Sequence, residues 1–165
     1  MGNKNKIVII GGGLAGCEAA YQISKFDINV DLYEMRPKVK TEAHQTKYLA
    51  ELVCSNSFRS DDKEYNAVGV LHEELRIADS LIMKTADNNK VPAGSALAVD
   101  RDDFAKEVNK TINSISNINI INQEVKNLNE FDDQIIIIST GPLTSRKLTE
   151  SIKIKTSENS LAFYD

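Results

Sequence analysis

"KIVIIGGGLAGCEAA", residues Lys6 to Ala20, sets four apolar residues directly against three glycines. Ile7–Ile10 is short, β-branched and closed by glycine, which predicts a strand buried in a parallel sheet. A helix is expected to follow over Leu14–Phe26. Between the two, Gly11, Gly13 and Gly16 satisfy G-x-G-x-x-G, a pattern that acquires meaning only after a strand and at the head of a helix. Glycine permits the tight turn, lets the backbone approach a pyrophosphate and lets the helix pack on the sheet. The turn Gly11-Gly12-Gly13 and the head of the helix, Leu14, Ala15 and Gly16, would then offer amides and positive dipole to the phosphates.

A second strand is expected over Asn29–Glu34. Glu34 ends it roughly 20 residues beyond Gly16, the distance at which a carboxylate meets a ribose hydroxyl in dinucleotide-binding folds. Its negative charge opposes a 2′-phosphate, so NADP is disfavoured at this site and FAD or NAD remains. Arg36, two residues on, is a candidate for the adenosine or the phosphates, with a solvated charge as the plain alternative.

Strand and helix signals continue to alternate, which places the chain in the α/β class with a parallel sheet. Met35–Tyr65 is polar without a sustained period, and a segment of that length inside a domain points to function. Val68, Leu71, Leu75, Ala78 and Ile82, spaced three and four apart, predict one buried helix face, with His72 beside Glu73 and Glu74 on the surface. Pro92-Ala93-Gly94 breaks the chain, Ala96–Val99 reads as a strand, and Asp100 with Asp103 caps a helix to about Ile115. Ile118–Ile121 and Glu124–Leu128 read as a strand pair turning at Asn122-Gln123. Gln134–Ser139 reads as a fully buried strand ending in a second glycine turn, Thr140-Gly141-Pro142.

The 165 residues are 41% hydrophobic and 27% charged, as expected of one globular domain. With 20 Lys and Arg against 24 Asp and Glu the net charge is −4, so no global basic field points to DNA, and a surface for RNA would have to be local or lie outside this chain. Arg36, Lys38, Lys40 and Lys47 are interrupted by Glu42 and Glu51 and read as a solvated loop. Apolar runs such as Ile135–Ile138 are far shorter than the roughly 20 residues of a membrane span, and a cytoplasmic protein is expected. The two cysteines, Cys17 and Cys54, have no metal-ligand spacing and are expected to be free thiols.

"DLYEMRP" (Asp31–Pro37), "AELVCSNSFRSD" (Ala50–Asp61), "NAVGVLHEEL" (Asn66–Leu75), "SLIM" (Ser80–Met83) and "VPAGSALAVDR" (Val91–Arg101) together resemble the folate- and FAD-dependent tRNA uracil-5-methyltransferase family, TrmFO. The resemblance runs in order to the final "LAFYD". Ser95 departs from it, standing where the family carries a second glycine. The flavoproteins that modify wobble uridines, GidA or MnmG, share the continuation Ala15–Ala20, with a likeness ending near that turn.

The resemblance implies a Rossmann-like FAD-binding domain with an inserted segment at about residues 66–130. The turn around Gly141 is similar to the second glycine turn of two-dinucleotide-domain flavoproteins, which favours FAD. The implied reaction passes a one-carbon unit from methylenetetrahydrofolate, with NAD(P)H as electron source, to C5 of a T-loop uridine in tRNA. Within it Cys54 is the candidate catalytic thiol, because a thiolate is the usual means of attacking C6 of uracil, with Arg59 as a cation that favours the thiolate. Nucleophile, proton donor and adduct-stabilising thiol all remain open for Cys54, whereas Cys17 is expected to pack against the sheet. Since members of the family are longer, this chain is expected to be a fragment holding the adenosine end of the FAD site, with little or no methylation activity alone.

Overall fold

The computed structural model describes residues 6–157 and Leu161. Its elements, in chain order, are β1 (Lys6–Ile10), α1 (Leu14–Ser24), β2 (Asn29–Glu34), β3 (Ser57–Ser60), α2 (Ala67–Ile77), α3 (Leu81–Asn88), β4 (Lys90–Val91), β5 (Ala96–Val99), α4 (Arg101–Ser114), β6 (Ile118–Asn122), β7 (Ile135–Ile138) and α5 (Arg146–Thr156). The final "LAFYD" of the sequence reading falls outside the described residues apart from Leu161.

The main sheet is parallel, in the order β6-β2-β1-β7. The chain therefore leaves β1 outward through β2 to β6 and then crosses back to lay β7 on the other side of β1. Such a reversal opens a crevice at the carboxyl ends of the strands, and here it falls between β1 and β7, at the glycine turn. Alternation along β1 divides the core between the two faces of the sheet. Ile9 joins Leu32, Cys17, Ala20, Phe104, Val108 and Ile112 on one face, while Val8 and Ile10 join Val125, Leu128, Phe131 and Leu148 on the other. The fold is thus α/β of Rossmann type, as the glycine stretch implied.

A second, antiparallel sheet of order β3-β5-β4 lies in the excursion between β2 and β6. Leu97 and Val99 of β5 pack in the same cluster as Ile9 and Leu32, so this sheet shares a core with the first. Of the segment 66–130, α2 to α4 lie within the excursion and β6 belongs to the main sheet. The cap foreseen for α4 is made by Asp100, whose carboxylate accepts from the amides of Asp102 and Asp103.

Five expectations are corrected. The single helix read through Val68 and Ile82 is two helices, because Glu18 of α1 takes the amides of Leu81 and Ile82 and the hydroxyl of Ser80, starting α3 afresh. Leu71 is 50% exposed, and α2 buries Gly69 and His72 instead. His72 is not on the surface: it is 5% exposed, with Nδ1 3.0 Å from an Asp61 carboxylate that also holds Arg76 and Lys90. Glu124–Leu128 forms no strand, since β6 finds its partner in β2 and the chain turns away into a short 3-10 helix at Leu128–Phe131. Finally, β7 is not fully buried; among the described residues it is an edge strand, and Ile135 is 65% exposed.

Candidate nucleotide site

The three consecutive glycines and Gly16 have different reasons for lacking a side chain. A Cβ on Gly16 would lie 1.8 Å from the carbonyl oxygen of Gly11, and one on Gly11, whose φ is +109°, would lie 2.8 Å from the backbone of Ser139. At Gly12 it would meet Leu49 at 2.6 Å and Glu34 at 2.8 Å. Those three positions are closed by the protein's own packing. At Gly13 a Cβ would meet nothing within 4 Å, and Gly13 faces the crevice.

Gly13 is also the N-cap of α1, and it provides no side-chain hydrogen bond to the helix head. By contrast, Asn66, Ser80 and Asp100 cap α2, α3 and α4 with their side chains. The first amides of a helix need partners and carry the positive end of its dipole. The head of α1, which begins with the amides of Leu14, Ala15 and Gly16, has no side-chain cap, and open space lies beside its N-cap Gly13, which suits a diphosphate.

Glu34, at the end of β2, is aimed at this turn. One oxygen, Oε2, accepts from the Gly12 amide at 3.0 Å and from Arg36 Nη2 at 3.1 Å. The other, Oε1, accepts from the Arg36 amide at 3.0 Å and from its Nε at 2.9 Å. Burial pushes the Glu34 carboxyl up, but the hydrogen bonds and charge of Arg36 and the Gly12 amide outweigh it and hold the group below the usual carboxylate range. Arg36 is itself 1% exposed, and its Nη1 reaches Glu51 at 3.0 Å.

On the β7 side, the Ser139 hydroxyl donates 2.9 Å to the Gly11 carbonyl and the Ser139 amide donates 2.8 Å to that of Ile10, so the second glycine turn abuts the first. Gly141, with φ +58°, is exposed and forms the bend, while its neighbours Thr140 and Pro142 face the crevice. The apolar wall was not foreseen. Val125, Leu143 and Leu148 line it together with Tyr33. Val125 was hidden in a stretch that reads as a strand, whereas Leu148 and Ile152, four apart behind Ser145, were a legible helix signal. Ser145 is among the residues lining the crevice, and its Oγ is the one buried side-chain polar atom without a hydrogen-bond partner among the described residues. Amides for phosphates, a carboxylate for a sugar and an apolar wall for a base together fit an adenine dinucleotide.

The segment before Cys54 folds back on the turn, the Ala50 amide donating to the Gly12 carbonyl at 2.9 Å. Val53 lines the crevice, and Cys54 next to it is exposed. Cys17, by contrast, is buried beneath the turn, where loss of solvent pushes its thiol up to about 12. That thiol packs as a small apolar group, as expected.

A family profile described as "Glucose inhibited division protein A" matches residues 6–165. The chain belongs to that family. Among curated relatives, a Bartonella henselae protein named methylenetetrahydrofolate–tRNA-(uracil-5-)-methyltransferase TrmFO is 58% identical over 159 residues, covering 96% of this chain and 34% of that protein. Proteins of the same name from Paramagnetospirillum magneticum and Jannaschia sp. are 56% identical over 157 residues and 53% identical over 165 residues, covering 35% and 36% of those proteins. The chain thus spans about a third of the length of the curated relatives it matches.

Proposed function

We propose that the protein takes part in FAD-dependent transfer of a one-carbon unit from methylenetetrahydrofolate to C5 of a T-loop uridine in tRNA, forming 5-methyluridine in the cytoplasm, with NAD(P)H as reductant. The observation that carries the FAD part is the uncapped head of α1 opening past Gly13, with Glu34 aimed at the same turn. The reaction rests on the name shared by the relatives, each more than half identical to this chain over nearly its whole length. In this reading residues 1–165 are the N-terminal part of an FAD-binding domain with an insertion at about 66–130.

Bound flavin would supply a carrier able to accept hydride and hold the one-carbon unit. The residues of this chain bind and orient it. Leu14, Ala15 and Gly16 offer amides to the diphosphate, Glu34 takes the adenosine ribose, and Val125, Leu143 and Leu148 receive the adenine face. Cys54, exposed beside the crevice-lining Val53, is the thiol assigned to the pyrimidine, and Arg59 in the adjoining β3 is the cation nearest it in sequence.

The test is nucleoside mass spectrometry of tRNA from source cells with the gene intact, deleted, or replaced by Cys54→Ser. Loss of T-loop 5-methyluridine in both altered strains is expected. Unchanged 5-methyluridine after deletion would refute the assignment.

A further inference from the structure

Glu34 is already surrounded. A carboxylate offers about four lone-pair positions, and the Gly12 amide, the Arg36 amide, and Arg36 Nε and Nη2 take four, at distances between 2.9 and 3.1 Å. The two amides cannot leave without moving backbone. The two guanidinium bonds can.

Behind Arg36 stands Glu51, whose side chain is 11% exposed and which holds Nη1 at 3.0 Å. Glu51 Oε1 takes the amide of Gln45 at 2.8 Å and its Oε2 takes the hydroxyl of Thr46 at 3.0 Å. The guanidinium thus sits between two acids, one on the nucleotide crevice and one anchoring residues 45–46. That same strap reaches the turn again through Ala50, so Gly12 is held by the strap at its carbonyl and by Glu34 at its amide.

We propose that Arg36 and Glu51 are positioning residues for ribose recognition: Glu34 takes a ribose hydroxyl by sharing its oxygens with the Arg36 guanidinium, and Glu51 draws that guanidinium back far enough to allow it. This rests on the nucleotide reading above. It gives Arg36 a role other than contact with adenosine or phosphate. Removing the charge at Glu51 leaves the guanidinium bound to Glu34 alone, where it competes with the ribose. Replacing the fork by the single point charge of lysine removes the paired guanidinium bonds and leaves Glu34 oriented by the two amides alone.

The experiment is calorimetric titration of ADP and 2′-deoxy-ADP into the protein, Glu51→Gln and Arg36→Lys, with circular dichroism confirming the fold of each. Glu51→Gln keeps one acceptor oxygen for the amides of Gln45 and Thr46, and the Thr46 hydroxyl can accept from the new amide group, so this variant carries the test should Arg36→Lys not fold. The protein is expected to prefer ADP by about tenfold, the size of one hydrogen bond to a charged group. In either variant the preference is expected to shrink to about twofold or less. Equal weakening of both ligands with the tenfold preference intact would show a merely structural role and overturn this inference alone. No preference in the unaltered protein, or no binding of either nucleotide, would overturn the nucleotide reading and this inference with it.

Discussion

Glu34 illustrates how much a single carboxylate depends on its neighbours. Its burial at the end of β2 would favour the neutral acid, yet Arg36 and the Gly12 amide reverse that balance, and Glu51 and Asp61 are held below the usual range in the same way, each against the opposing effect of burial. A group whose folded value is depressed adds stability that is complete above its unfolded value and lost as pH falls through the folded one. The thermal midpoint is therefore expected to fall gently below about pH 6.5, where burial opposes protonation of His44, and steeply below about 4, and Glu51→Gln should make the steep fall shallower. A pH scan by circular dichroism checks this; a midpoint that rises on acidification would contradict it. At this scale the sequence was partly legible. The type and spacing of Glu34 marked it as a site residue, but nothing local revealed that Arg36 would be consumed by two acids, since Glu51 reaches it from 15 positions away. His72 escaped for the same reason: its partner Asp61 is a tertiary neighbour that no helical period displays.

At the scale of elements, β1, the glycine turn, the start of α1 and β2 were readable because each is specified within a few residues: β-branching for β1, glycine for the turn that opens the helix. β3 and β4 were not, because strands of four and two residues have no period and owe their existence to pairing with β5. The turn makes the sharper prediction. Gly16→Ala forces a methyl to 1.8 Å from the Gly11 carbonyl and should cost at least about 2 kcal/mol of folding free energy. Gly13→Ala, with φ −79° and open space around it, should cost less than about 1 kcal/mol. Urea denaturation of both variants separates them; comparable losses would mean that the turn is not divided between packing and ligand.

On the scale of the whole molecule, the strand order reverses where the glycines are, so the topology brings the ends of β1, β2 and β7 to one crevice. That convergence was expected from two glycine turns, but the wall facing them comes from Val125 and from α5, elements that meet the turn only once the sheet has closed. The two faces of the main sheet are both covered, and the excursion through β3, β4 and β5 shares the larger core, so the crevice is carried by one packed body. The central claim is that the open amides at the head of α1 hold the diphosphate of FAD. Titration of FAD into the protein and into Gly13→Ala, followed by quenching of flavin fluorescence, tests it most directly. Saturable binding by the protein, weakened at least about tenfold in a Gly13→Ala variant that remains folded, is the predicted result; equal affinity in the two, or no saturable binding by the protein, would contradict it.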